Sequence, residues 1–122
     1  MNDVEQLAER YAAMWNEADP LARRRMIAEL WSDDAAHFVR DLEYRGHDRL
    51  EERVSGAFER FVGTGEHVFV RTEAMQRANG VLFRWRMVAK DGADAGGGCD
   101  FLVLSPEGKI VADYQFPEPA PA

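Results

Sequence analysis

Cysteine occurs once in the 122 residues, at Cys99, so no disulfide can form within the chain. A reducing, cytoplasmic setting is the expectation from that count. No apolar run approaches the roughly 20 residues needed to cross a bilayer, so no membrane span is expected. The opening MNDVEQLAERY lacks a basic segment followed by an apolar one, the pattern of a secretory leader. Positive charge is short: 15 Lys and Arg face 22 Asp and Glu, a net charge of −7. A nucleic-acid surface needs clustered positive charge, so that class of partner is not expected. The one basic run, Arg23-Arg24-Arg25, lies among acids in a helical stretch and reads as a solvated face. The three histidines, His37, His47 and His67, have no ligand spacing, and neither a metal site nor a cofactor is expected. Small molecules or another copy of the chain are the expected partners.

What is present is one domain's worth of core, with 46% hydrophobic and 30% charged residues. From Asp3 to about Glu17, Val4, Leu7, Ala8, Tyr11, Met14 and Trp15 recur at helical spacing. Asn2 and Glu5 read as a capping pair. Asp19-Pro20 restarts the chain as a helix cap with proline at the first position, and that helix runs to about Trp31. Ala36–Val39 reads as a short strand and LEYRG as a loop. A third helix is expected from about Asp48 to Phe61, with Leu50, Val54, Ala57, Phe58 and Phe61 on one side. From there the pattern is antiparallel sheet. Strands over 67–78 and 81–90 join at the hairpin signal Asn79-Gly80. DGADAGGG reads as a flexible glycine-rich turn, and 99–105 and 109–116 form a second hairpin across PEG. Residues 1–116 make the domain and 117–122 a proline-rich tail. The fold class is α+β: a curled antiparallel sheet packed on three N-terminal helices around an internal pocket.

Two aspartates sit where strands disfavour them: Asp100 opens an apolar run and Asp113 interrupts the next. If Asp100 faces an apolar pocket beside Trp85, its pKa rises and the neutral acid can donate a hydrogen bond. At a strand's first position, it would instead be half in solvent. Asp113 and Gln115 alternate with Ala112, Tyr114 and Phe116, so they share one polar face. Whether Asp100 and Asp113 share a face turns on one bulged residue in SPEGK.

RYAAMWNEADP, LWSDDA, YRGHDRLEERV, LFRWRMV and CDFLVLSPEGKIVADYQF together resemble, in order, the SnoaL-like polyketide cyclase group of the nuclear transport factor 2-like superfamily. That resemblance implies a cone-shaped domain and a homodimer formed through the outer face of the sheet, where Leu82 and Val88 would be covered. Compared with ketosteroid isomerase, a relative of that fold, Tyr11 and Asp100 match the pair that donates hydrogen bonds to a developing enolate. Phe83, Trp85 and Met87 match apolar pocket positions, with Trp15, Phe58 and Gln115 beside them. The general base of the isomerase falls here on Val39. His37 and Asp41 share the strand parity of Val39, so the base could be His37, Asp41 or Asp113. Arg84 and Arg86 point to the opposite face.

Two functions follow as expectations. One is a cofactor-independent isomerase, cyclase or dehydratase moving a proton on a small apolar carbonyl compound. The other is a ligand-binding or dimerisation module that keeps the pocket without catalysis.

Overall fold

The computed structural model of the chain describes residues 3–120. Three helices come first, interrupted by a β-hairpin: α1 (Asp3–Asn16), α2 (Pro20–Leu30), β1 (Trp31–Val39), β2 (Leu42–Arg45) and α3 (His47–Ala57). A π-helical turn (Phe58–Val62) follows, then β3 (His67–Arg77), β4 (Gly80–Ala89), β5 (Asp94–Leu104) and β6 (Ile110–Glu118). The six strands form one sheet in the order β2-β1-β6-β5-β4-β3. It curls over the helices without closing, giving an α+β cone. Among the described residues no helix is long and apolar enough to cross a membrane.

Local chemistry explains the helix ends. The Asp19 carboxylate accepts from the Leu21 amide at 3.0 Å and Pro20 takes the first helical position of α2. Asn16 ends α1 by bonding both backbone groups of Phe69, at 2.9 Å and 2.7 Å, which ties the helix to β3. The Asn2 half of the expected capping pair lies outside the described residues. Ile27, Leu30, Trp31, Met14, Leu50, Val54, Leu102 and Ile110 are buried between helices and sheet.

Several elements differ from the sequence reading. LEYR is a strand, not a loop: Val39↔Leu42 to Ala36↔Arg45 pair antiparallel around a two-residue turn at Arg40-Asp41. β1 also pairs with β6 in parallel, a long-range match that no local pattern announces. The third helix loosens after Ala57 into the π turn, closed by the Gly63 amide on the Phe58 carbonyl at 2.7 Å. The glycine run is not a flexible turn, because β5 begins at Asp94 and carries Gly96, Gly97 and Gly98 within it. A Cβ on Gly97 would lie 2.4 Å from the Trp85 carbonyl oxygen, and one on Gly98 would lie 2.7 Å from the Trp85 ring. The glycines are there so that Trp85 can lie across β5. The last strand continues past Phe116, with Pro117 and Glu118 opposite Gly98 and Gly97.

The basic run is not a uniform solvated face either. Arg25 is exposed, but Arg23 is 3% exposed. Its guanidinium donates to the Glu17 carbonyl (3.0 and 2.7 Å) and to Ser55 Oγ (2.7 Å), and lies 4.7 Å over the Phe58 ring. That buried cation is compensated by carbonyl dipoles at the end of α1 and by the aromatic face.

Candidate functional site

The inward face of the sheet carries a polar patch built by strand register. Asp100 on β5 stands opposite Gln115 on β6, Leu102 opposite Asp113, and Asp113 opposite His37 on β1. Asp100 and Asp113 do share a face, and the extra residue lies not within SPEGK but on β6, where the register skips Val111 between Val103↔Ala112 and Leu104↔Ile110. Tyr11 reaches the same patch from α1. Its Oη lies 2.5 Å from Asp113 Oδ2 and 2.9 Å from Asp100 Oδ2. Asp113 Oδ2 also lies 2.8 Å from His37 Nδ1. The Trp85 indole N–H donates to Asp100 Oδ1 at 2.7 Å. Arg53 on α3 donates from Nε to His37 Nε2 at 3.4 Å and from Nη2 to Gln115 Oε1 at 2.8 Å.

Protons can be assigned along this chain. His37 Nε2 accepts from Arg53, so Nδ1 carries the ring proton and donates to Asp113. Burial and the neighbouring Arg53 charge lower His37 to about 4, so it is neutral near pH 7 and its contact with Asp113 is a hydrogen bond rather than an ion pair. Burial raises Asp113 to about 6, while the protons of its neighbours Asp100 and Tyr11 and the Arg53 charge pull the other way. Burial first, then the Asp113 charge, raises Asp100 well above the usual carboxylate range. Tyr11 is also raised, by burial and then by both acids. Its single proton therefore goes to the charged Asp113, while protonated Asp100 donates to the Tyr11 oxygen. Asp113 Oδ1 is buried and has no hydrogen-bond partner among the described residues, which adds to the cost of its charge.

A cavity of about 240 Å³ opens beside this network, room for roughly eight waters at about 30 Å³ each. Trp15, Phe61, Phe69, Phe83, Trp85 and Met87 supply its apolar wall, and Tyr11, Gln115, Arg40, Arg53 and Arg60 supply polar lining. Of the residues expected to line a pocket, Trp15, Phe83, Trp85, Met87 and Gln115 do so. Phe58 does not, because the π turn directs it toward Arg23 and the cavity receives Phe61 instead.

The residues singled out for chemistry divide. Tyr11 lines the cavity. His37, Asp100 and Asp113 are at most 1% exposed and sit behind the wall, joined to Tyr11. Asp100 is therefore neither a solvated strand end nor a free donor to a ligand. Asp41 lies apart: Arg40 turns the chain at φ 53° and leaves Asp41 exposed in the β1–β2 turn. Val39 is buried at 2% exposure. Arg84 and Arg86 face outward and pair with Glu118, Arg86 also with Asp94. Arg53 was missed as a site residue. It stands three residues after Leu50 and four before Ala57, an inward position on α3 that its charge disguised.

His37, Asp100 and Asp113 offer ligand atoms within 4.8 Å of one another, the one such grouping among the described residues. Two of those groups, His37 Nδ1 and Asp113 Oδ2, are already 2.8 Å apart, and Tyr11 sits between the two carboxylates. Proton sharing accounts for the cluster without a cation.

No family model matches the chain, and no curated protein matches it. Solved structures do. A provisionally assigned isomerase of the SnoaL-like family from Agrobacterium tumefaciens is 27% identical, with 97% of this chain and 99% of that one covered and a TM-score of 0.87. The chain has the SnoaL-like, nuclear transport factor 2-like fold. A provisionally assigned polyketide cyclase from Sinorhizobium meliloti superposes on this chain with a TM-score of 0.68, at 13% identity over 91% of this chain and 94% of that one. A provisionally assigned SnoaL-like polyketide cyclase from Jannaschia sp. gives 0.69, at 14% identity over 96% and 89%. At such identities these two speak for the fold alone.

Proposed function

We propose that this SnoaL-like chain is a cofactor-independent isomerase or cyclase that moves a proton on a small apolar carbonyl compound held in the cavity. The observation that carries the reading is Tyr11, a cavity-lining residue whose hydroxyl lies 2.5 Å from the Asp113 carboxylate. The C–H bond next to the carbonyl breaks and its proton passes to Tyr11 Oη as Tyr11 hands its own proton to Asp113 Oδ2. The carbonyl becomes an enolate, whose oxygen lies in the field of Arg53. Return of the proton from Asp113 through Tyr11 to a different carbon completes an isomerisation. Attack of the enolate carbon on a second carbonyl of the same molecule breaks that C=O π bond, and return of the proton from Asp113 through Tyr11 to the resulting alkoxide completes a cyclisation. Asp113 thus takes the base's part that falls on Val39 in the family comparison. The name of one structural neighbour, the isomerase of the SnoaL-like family from Agrobacterium tumefaciens, supports the same class. Deuterium exchange next to the carbonyl of a panel of aryl ketones tests it by proton NMR. Exchange that depends on Asp113 is the expected result, and none with any ketone removes the reading.

The burial of His37, Asp100 and Asp113 behind the wall favours a second reading, a binding module whose network only shapes the pocket.

The proposed partner is a second copy. Phe38, Tyr114, Phe101, Leu82 and Met75 are consecutive cross-strand neighbours on the outer face, an apolar row spanning five strands. Phe101, Tyr114 and Met75 are 42–44% exposed, and the Phe38 and Tyr114 rings stack at 5.0 Å. Covering this row in a homodimer removes it from water.

A further inference from the structure

The chain is acidic overall, yet its cavity is lined by three arginines and a single acid. That acid, Glu118, is already engaged by Arg84 and Arg86 at the rim. Elsewhere arginines find carboxylates: Arg24 pairs with Asp48 and Glu51, Arg45 with Glu43, Arg86 with Asp94. Among the described residues, no carboxylate comes within ion-pair distance of Arg40, Arg53 or Arg60.

Arg53 is the most constrained of the three. It lies 5.2 Å over the Trp15 ring and 5.9 Å over Tyr44, and its two hydrogen-bond partners, His37 and Gln115, are neutral. Those bonds occupy two of its five N–H donors, so three remain. The Asp113 charge is one imidazole away. A partly desolvated guanidinium with spare donors, fixed by aromatic faces beside an apolar cavity, is a receptor for a planar anion.

We infer that the cavity takes a small molecule with an apolar body and a carboxylate, the carboxylate seated on Arg53 with Arg40 and Arg60 at the mouth. The body then lies against Phe61, Phe69, Phe83 and Met87. This rests on reading the cavity as the substrate site, and it narrows the substrate to a carbonyl compound that is also an acid. Arg40 and Arg60, both exposed, draw the anion in, and Arg53 orients it.

The probe pair is phenylpyruvate and 1-phenylpropan-2-one, which differ by a carboxylate against a methyl group. Binding is followed by the fluorescence of the full chain, since Trp15 and Trp85 line the cavity. The keto acid is expected to bind about ten-fold or more tighter than the ketone at low salt, as a charged hydrogen-bonded pair gives. Arg53→Gln is expected to bring the two within about two-fold of each other, chiefly through lost affinity for the keto acid. Circular dichroism checks that the variant folds. If it does not, the double variant Arg40→Gln/Arg60→Gln carries the test, because both side chains are exposed, and the preference should fall about three-fold or more. Equal binding of the two probes to the wild-type chain overturns the inference, and so does a preference that survives these substitutions.

Deuterium exchange at the benzylic carbon of phenylpyruvate, measured in the same samples, separates this inference from the catalytic reading. Preference without exchange keeps the ligand class and removes catalysis of this type. Exchange without preference does the reverse.

Discussion

The Tyr11 hydroxyl and the Asp113 carboxylate lie 2.5 Å apart, a contact between residues 102 positions apart in the chain that joins the first helix to the last strand. It makes the natural acceptor of Tyr11 an internal carboxylate rather than a ligand. A tyrosine backed in this way can accept a proton from one side while releasing its own to the other. Tyr11→Phe keeps the ring, including its edge contact with Phe83 at 5.0 Å, and removes only the relay. Exchange activity is expected to fall by about 10²–10⁴. Stability is expected to fall by about 1–3 kcal/mol, because Asp113 loses its donor in a buried place. Activity equal to wild type would take Tyr11 out of the chemistry.

Coupling between the two buried acids has its own signature. The Asp113 charge is one of the causes that raise Asp100. Asp113→Asn is therefore expected to lower the Asp100 pKa, while burial still holds it above the ordinary carboxylate range. Carbon-detected NMR titration of the labelled side chains measures this directly. An Asp100 titration that does not move would show that the carboxyls do not sense each other.

Stability should depend on pH with a sign that the network dictates. Asp100 and Asp113 have folded pKa values raised above their unfolded ones, so they keep protons that the unfolded chain has already released. Each removes stability as pH rises, from about 4 to about 6 for Asp113 and further for Asp100, at about 1.4 kcal/mol per pH unit. His37 is lowered from 6.5 to about 4, so it acts the other way and offsets one of them over most of that span. The site therefore makes the protein more stable at pH 5 than at pH 7. In Asp100→Asn the amide can donate to Tyr11 and accept from Trp85, as the protonated acid does. That variant is expected to be more stable than wild type at pH 7 and to show a flatter profile. Urea denaturation across pH 5–8 checks both, and a less stable variant at pH 7 would mean that Asp100 is charged in the fold.

How far the sequence carried this picture depends on the range of the interactions. The stripes of α1 and α3 and the Asn79-Gly80 hairpin are local patterns, and they were legible. β2 was not, because four residues carry too little alternation to stand out from a loop. The parallel match of β1 with β6 was hidden too, since register across about 75 residues leaves no local mark. Tyr11, Asp100 and Asp113 stood out as polar groups in apolar runs. Their joining depended on a bulge at Val111 that composition does not announce. Asp41 failed because parity was extended through Arg40, where a left-handed residue ends the strand. Arg53 was hidden by its charge, although its spacing from Leu50 and Ala57 put it on the buried face.

The apolar row across the sheet predicts an oligomeric state. Phe101 lies in the middle of that row, between Leu82 and Tyr114 on the neighbouring strands. Phe101→Glu puts a charge where two copies would meet and leaves the inward face untouched. Light scattering after size exclusion is expected to give a dimer for the wild-type chain and a monomer for the variant at the same concentration. A wild-type chain that is monomeric at about 0.1 mM, well above the micromolar dissociation of even a modest interface, would leave the row without a partner of its own kind.

Trp85 offers the most local test, because its indole both lines the cavity and holds Asp100 at 2.7 Å. The space for that ring exists only because residue 98 is glycine. An added methyl would lie 2.7 Å from the ring and 3.0 Å from the Phe116 carbonyl oxygen, so the indole must move while the backbone cannot. Gly98→Ala is expected to cost about 1–3 kcal/mol as an overpacked site. It should also break the Trp85–Asp100 bond, which favours the charged carboxylate. The Asp100 pKa then rises further while Tyr11 and Asp113 keep their contact. Near-ultraviolet circular dichroism reports the displaced indole and NMR titration reports the acid. If both are unchanged, the glycine serves the strand's backbone and not the tryptophan.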